Sequence, residues 1–178
     1  RNGVWNGQMG SLLETKTVGI VGFGRIGQRV AKLIAAFGSK IVVCDPKTNS
    51  KEFVNVSLDE LCKISDVVTL HIPYDQSTHH LIGKKQIDLM RAGSFLVNIS
   101  RGGLVDEDAL FNALQSGPIA GAALDCFEQE PYSGPLSKLE NVQMTAHMGT
   151  YARETRDRME LEASRLLVDA LRKIKVIK

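Results

Sequence analysis

Apolar and polar positions follow two rhythms along this chain. Consecutive apolar runs rich in β-branched residues occur at Thr17–Val21, Lys40–Cys44, Val67–Leu70, Phe95–Ile99, Ile119–Leu124 and Val142–Ala146. Runs of that length and content suit strands buried on both faces. Between the runs the spacing lengthens. Ile26, Val30, Leu33, Ile34 and Phe37 recur at i, i+4, i+7, i+8 and i+11, a helical stripe that Gly38 stops. Ser57-Leu58-Asp59-Glu60 has capping-box spacing and opens a short helix through Leu61 and Ile64. Residues 86–90 read as helical. Asp106-Glu107-Asp108 opens a helix to about Gln115, with acids at the end the helix dipole favours, and Gly117-Pro118 breaks it. A last helix sets Met159, Ala163, Leu166, Leu167, Ala170, Leu171 and Ile174 on one face. Residues 46–56 read as a loop with a short extended piece, and 127–140 as a proline-bearing loop. Residues 1–14, with Trp5, Met9, Leu12 and Leu13, read as a leading segment packed on the domain.

Strands that alternate with helices give a parallel sheet with helices on both faces. The expected fold is therefore α/β, a Rossmann-type doubly wound sheet of about six strands. In such sheets the ligand lies beyond the carboxyl ends of the strands. Gly22, Asp45, His71, Arg101, Asp125 and His147 each fall just past one of the six runs.

The turn after the first run is Gly22-Phe23-Gly24-Arg25-Ile26-Gly27. Gly22 permits a tight exit from the strand. Gly24 lets backbone approach a pyrophosphate, and Gly27 lets the helix pack closely on the strands. The helix N-terminus then offers free N–H groups and partial positive charge to phosphates. Asp45 lies eighteen residues beyond Gly27, where an acid can accept from ribose hydroxyls and repel a 2′-phosphate. Glycine turns of this form are common. The strand before, the helix after and the distant acid make this one specific for a dinucleotide, with NAD expected over NADP.

Composition narrows the partners. A chain of 178 residues supports one well-buried domain, since chains of this size bury roughly 70% of their unfolded surface. Apolar residues make up 43% and charged residues 24%, ordinary globular values. With 22 basic and 20 acidic residues there is no electrostatic case for nucleic acid. No apolar run reaches membrane-span length and no signal peptide opens the chain. Cys44, Cys62 and Cys126 are widely spaced, which fits a reducing cytoplasm and argues against a metal site. Taken singly, the polar residues are ordinary: Arg101 a surface charge, Glu130 a solvent-exposed loop acid, His147 a packed histidine. His79 and His80 stay at that reading.

In sequence order they fit a longer pattern. The chain resembles the cofactor domain of the D-2-hydroxyacid dehydrogenases, from about Thr15 to Leu171. The resemblance runs through Val18–Gly27, Cys44-Asp45-Pro46, His71-Ile72-Pro73, Thr78–Ile82 and Met90–Gly93. Its most diagnostic stretch is Val97–Asp106, followed by Ala122–Pro131 and Thr145–Gly149. It implies that Arg101 is the substrate arginine, Glu130 the catalytic acid and His147 the acid–base histidine. It also implies that Arg25, Ile26, Asp45, Ile72, Thr78, Ile99, Arg101, Asp125, His147 and Gly149 join the glycines as cofactor contacts, with Asp125 facing the nicotinamide carboxamide. The substrate would be a small 2-hydroxy or 2-oxo acid, 3-phosphoglycerate being one, and the protein a homodimer through this domain. Cys126 replaces a common valine, and Thr150-Tyr151 replaces small residues. The family builds a substrate domain from segments before and after the cofactor domain. This chain is therefore expected to be the cofactor domain, residues 1–178, of a longer enzyme, and inactive alone. Two other readings stay open: a dinucleotide-sensing, dimerising module like the family's corepressor relatives, and another Rossmann enzyme such as an adenosylhomocysteine hydrolase relative. The second leaves Arg101-Gly102-Gly103 and Glu130-Pro131 unexplained.

Overall fold

The computed structural model describes residues 9–48 and 50–174. Its strands are β1 Thr17–Val21, β2 Lys40–Cys44, β3 Val54–Asn55, β4 Val67–Leu70, β5 Ser94–Asn98, β6 Ile119–Leu124 and β7 Val142–Met144. Its helices are α1 Arg25–Ala35, α2 Leu58–Ile64, α3 Lys84–Leu89, α4 Glu107–Ser116 and α5 Arg153–Lys173. Among the described residues, seven strands form one parallel sheet in the order β3-β2-β1-β4-β5-β6-β7. The extended piece foreseen within 46–56 is β3, which carries the sheet from six strands to seven. The chain runs outward from β1 to β3, then crosses back to β4 and runs the other way. Loops leaving β1 and β4 diverge there and open a crevice at the strand carboxyl ends.

Side chains alternate across the sheet, so β2 sends Ile41 and Val43 to one face and Val42 to the other. Val18, Ile20, Ile41 and Val43 pack with Val30, Ala31 and Ile34 of α1. On the opposite face Val42, Val68, Leu70 and Leu96 pack with Leu61 of α2, Ile87 of α3 and Leu110 of α4. Ile20, Leu61, Leu96 and Leu110 are fully buried, and each such side chain stabilises the fold by about 1.5–3 kcal/mol. Ser57 caps α2 by accepting from Glu60 N, and Asp106 caps α4 by accepting from Ala109 N.

Only part of the apolar stripe read for α1 faces the core. Gly27 and Ala31 are buried, Val30 and Ile34 pack partly, and Ile26, Leu33 and Phe37 are exposed. Phe37 lies beyond the helix end, in the turn that Gly38 closes at φ 83°. Ile26 and Leu33 line a cleft instead of the core. The leading segment also departs from expectation: Leu13 packs beside α1, but Met9 and Leu12 are exposed, and Trp5 lies outside the described residues.

Cys44, Cys62 and Cys126 are free thiols. Burial pushes the Cys62 and Cys126 thiols up to about 12, so they act as small apolar residues. Among the described residues, no helix is long and apolar enough to cross a membrane.

The chain divides into two compact units, Arg1–Ala146 and His147–Lys178. The second consists of a turn, in which Tyr151 N donates to Met148 O, and then α5. The Arg156 guanidinium lies 4.7 Å from the Tyr151 ring centre, a cation–π contact that staples the turn to the helix. α5 carries the expected apolar positions from Met159 to Leu171.

Candidate active site

The glycine turn is built by two different constraints. Gly22 leaves β1 at φ 90°, where a side chain would be strained, and a β-carbon on it would come 2.4 Å from Ile72 Cγ2. A β-carbon on Gly27 would fall 2.1 Å from Gly22 O, so α1 could not start where it does. Gly24 differs from both. It caps α1 at an ordinary φ of −71°, and a β-carbon built on it meets no protein atom within 4 Å. Packing therefore explains Gly22 and Gly27 but not Gly24, whose missing side chain keeps open the approach to the first turn of α1. The amides of that turn have no carbonyl partner within the helix, which suits a phosphate.

Two clefts meet at Gly24. The larger, 860 Å³, runs from Arg25, Ile26 and Leu33 of α1 past Ile72 to Ile99 and Arg101. The other, 750 Å³, lies between Gly24, Asp45, Lys32, Lys47, Lys51 and Phe53. Asp45 is fixed at its mouth. Its Oδ2 accepts from Phe23 N at 2.7 Å and its Oδ1 from Lys47 N at 2.8 Å. The acid at the end of β2 is thereby tied to the glycine turn. Phe23 and Phe53 meet edge to face, with ring centres 5.8 Å apart.

His71 stands in the wall of the larger cleft. Its Nε2 pairs with Thr69 Oγ1 at 3.0 Å, and burial holds its imidazole below the ordinary histidine range.

Arg101 follows β5 on a turn organised by Asn98, which is buried. Asn98 Nδ2 donates to Arg101 O at 2.8 Å, and its Oδ1 accepts from Ser100 N at 3.1 Å. The guanidinium is exposed and donates through Nη1 to Ser100 O at 2.6 Å. Gly102, next in the chain, lies against Phe127 and Glu128 so closely that no side chain fits. That contact sets the Arg101 turn beside the loop holding Glu130, whose Oε1 accepts from Phe127 N at 3.0 Å.

Histidines at first read as ordinary tie these loops together. His80 Nε2 pairs with Glu128 Oε1 at 2.6 Å, and His80 N donates to Gly103 O at 2.8 Å. His79 stacks on His80, with ring centres 3.8 Å apart. Glu128 N donates to Glu107 Oε1, and burial holds the Glu107 carboxyl above the usual range. His80 and Glu128 are 48 residues apart. No local spacing signals their pairing.

Among the expected contacts, Gly24, Arg25, Ile26, Ile72, Ile99 and Arg101 share the larger cleft, and Asp45 lies in the adjoining one. Gly22 and Gly27 shape the turn between. Asp125 is buried at the end of β6, where its Oδ1 accepts from Thr145 Oγ1. Thr78 lines neither cleft; its hydroxyl accepts from Asp75 N at 2.8 Å and closes its own turn. His147 opens the second unit with a left-handed backbone, φ 49°, and Gly149 follows two residues on.

Residues 1–149 match the family described as D-isomer specific 2-hydroxyacid dehydrogenase, NAD binding domain. Glyoxylate reductase of Thermococcus litoralis is 44% identical over 169 residues, covering 91% of this chain and 51% of that protein. D-3-phosphoglycerate dehydrogenase of Methanocaldococcus jannaschii is 44% identical over 163 residues, covering 86% of this chain and 31% of that protein. D-lactate dehydrogenase of Aquifex aeolicus, solved with NAD and lactic acid, superposes with a TM-score of 0.87 at 34% identity, covering 97% of this chain and 58% of that one. The chain thus spans about half or less of the length of these relatives. With its glycine turn, its clefts and this likeness together, the chain belongs to the D-isomer specific 2-hydroxyacid dehydrogenase family, whose NAD-binding domain it carries.

Proposed function

We propose that this chain forms the cofactor half of an enzyme that interconverts a small D-2-hydroxy acid and its 2-oxo acid. One observation carries the reading. The cleft that starts at the phosphate-binding turn, Gly24 to Ile26, ends at Arg101. A cofactor laid along it brings its reactive end toward a cation able to hold a carboxylate.

Gly24 and the first turn of α1 would hold the pyrophosphate, Asp45 the adenosine ribose, and Ile72 and Ile99 the apolar flank. Bound NAD would supply the hydride acceptor, and NADH the donor. Asp125 would accept from the nicotinamide carboxamide, and Gly149 and Thr78 would complete the cofactor set. Arg101 would grip the substrate carboxylate and the neighbouring oxygen in a planar, charge-assisted pair, fixing the reacting carbon. His147 would take the hydroxyl proton in oxidation and return it in reduction. Glu130, its carboxylate steadied by Phe127 N, would orient the imidazole and favour its charged form.

Glyoxylate and 3-phosphoglycerate, the acids that the relatives' names point to, define the substrate class. A homodimer through the cofactor domain belongs to the same proposal. The test is NADH oxidation by the full-length protein across a panel of 2-oxo acids, with sedimentation for the oligomer. Turnover of at least one short 2-oxo acid is expected. Saturable NADH binding without turnover of any panel member would replace the enzyme reading with that of a dinucleotide-sensing module.

A further inference from the structure

We propose that Asn55 is a positioning residue for cofactor choice: by clamping the main chain of Asp45, it makes this site discriminate against a 2′-phosphate. The proposal rests on the reading of Asp45 as the ribose acid.

Three observations support it. First, the Asn55 carboxamide reads both backbone groups of Asp45. Its Oδ1 accepts from Asp45 N at 3.1 Å and its Nδ2 donates to Asp45 O at 3.0 Å. The orientation is fixed by chemistry, since a backbone amide only donates and a carbonyl only accepts. Second, Asn55 does not line the cleft, so it acts through Asp45 and not on the ligand. It sits on β3, the two-residue edge strand whose partner is β2. Its side chain ties the backbone just past the end of β2, from which the carboxylate reaches Phe23 N and Lys47 N.

Third, the surroundings make the position of that carboxylate decisive. Lys32, Lys47 and Lys51 line the same cleft. Three ammonium groups would by themselves welcome a phosphate. Two acids oppose them, Asp45 and Glu52, and of these Asp45 is the one tied to the glycine turn through Phe23 N. Held at the turn, it accepts from ribose hydroxyls and repels a 2′-phosphate. Released, it can swing toward a lysine, and the cleft then tolerates the phosphate. Discrimination here depends on where the acid is held as much as on its presence.

The experiment is a double-mutant cycle on the 178-residue chain, read by fluorescence titration with NADH and with NADPH. Asp45→Ala is the control for the underlying reading. Asn55→Leu removes both hydrogen bonds at similar volume. Asn55→Ala removes both hydrogen bonds without adding a charge, and it serves if the leucine variant folds poorly. The ratio of NADPH to NADH dissociation constants should fall by about tenfold or more in Asp45→Ala, and by about three- to tenfold in either Asn55 variant, the size of one or two lost hydrogen bonds. In the Asp45→Ala background, Asn55→Leu should change the ratio no further, because there is no carboxylate left to position. A ratio that falls in Asp45→Ala but not in the Asn55 variants overturns the clamp and leaves the acid's role intact. Equal weakening of both cofactors in the Asn55 variants also overturns it, since that is what a merely structural residue would do. An unchanged ratio in Asp45→Ala removes the reading of the acid itself, and the clamp with it.

Discussion

Gly102 lies against Phe127 so closely that a β-carbon on Gly102 would fall 1.8 Å from the Phe127 carbonyl carbon. The neighbouring atoms are backbone, Phe127 O and Glu128 N, and cannot rotate away. This contact joins the turn bearing Arg101 to the loop bearing Glu130. Gly102→Ala must push the two apart, at a cost of about 1–3 kcal/mol or more in stability. Chemical denaturation of the 178-residue chain measures it. A variant as stable as wild type would mean that the two loops separate freely.

Gly24 and Gly27 should respond in opposite ways to the same substitution. Gly27→Ala drives a β-carbon into Gly22 O and should lower the melting temperature clearly. Gly24→Ala meets no protein atom and should change stability by about 1 kcal/mol or less. Its methyl group should nonetheless weaken NADH binding by about tenfold or more, because it occupies the approach to the first turn of α1. Thermal unfolding and NADH titration of both variants give the comparison. Wild-type NADH affinity in Gly24→Ala would count against a pyrophosphate at that turn.

His71 gives the fold a pH dependence with a definite sign. Burial lowers its pKa in the folded chain below the unfolded value of 6.5. Above pH 6.5 the ring is neutral in both states and contributes no pH dependence. As pH falls below 6.5 the unfolded chain takes up the proton first, so stability is lost down to the folded pKa. Denaturation midpoints between pH 8 and pH 5 should show this loss in wild type and a smaller one in His71→Gln. An identical slope in the variant would assign the dependence to other groups.

Much of the fold was legible because its signals are local. Thr17–Val21 and Lys40–Cys44 are strands with the bounds that their apolar runs gave. The glycine turn with Asp45 likewise reads directly from spacing. The α1 stripe is a helix, as its spacing indicates, but it serves two surfaces: Val30 and Ile34 pack toward the sheet beside Gly27 and Ala31, and Ile26 and Leu33 are apolar for the cleft they line. Periodicity cannot separate a helix face that meets a core from one that meets a cleft. The ties among Asn98, Gly102, His80 and Glu128 were not legible, since each depends on where distant loops meet. The reciprocal capping of Asp75 and Thr78, in which the Thr78 hydroxyl accepts from Asp75 N, belongs with the ties that spacing did not show.

The most direct measurement is kcat/KM for NADH-dependent reduction of a 2-oxo acid by the full-length protein, in wild type, Arg101→Met and His147→Ala, with NADH affinity measured alongside. Arg101→Met should lose the carboxylate grip and His147→Ala the proton donor. Each should lower kcat/KM by about a hundredfold or more while NADH still binds. Near-wild-type kcat/KM in either variant would contradict the role given to that residue, and in both would contradict the dehydrogenase mechanism proposed for this cleft.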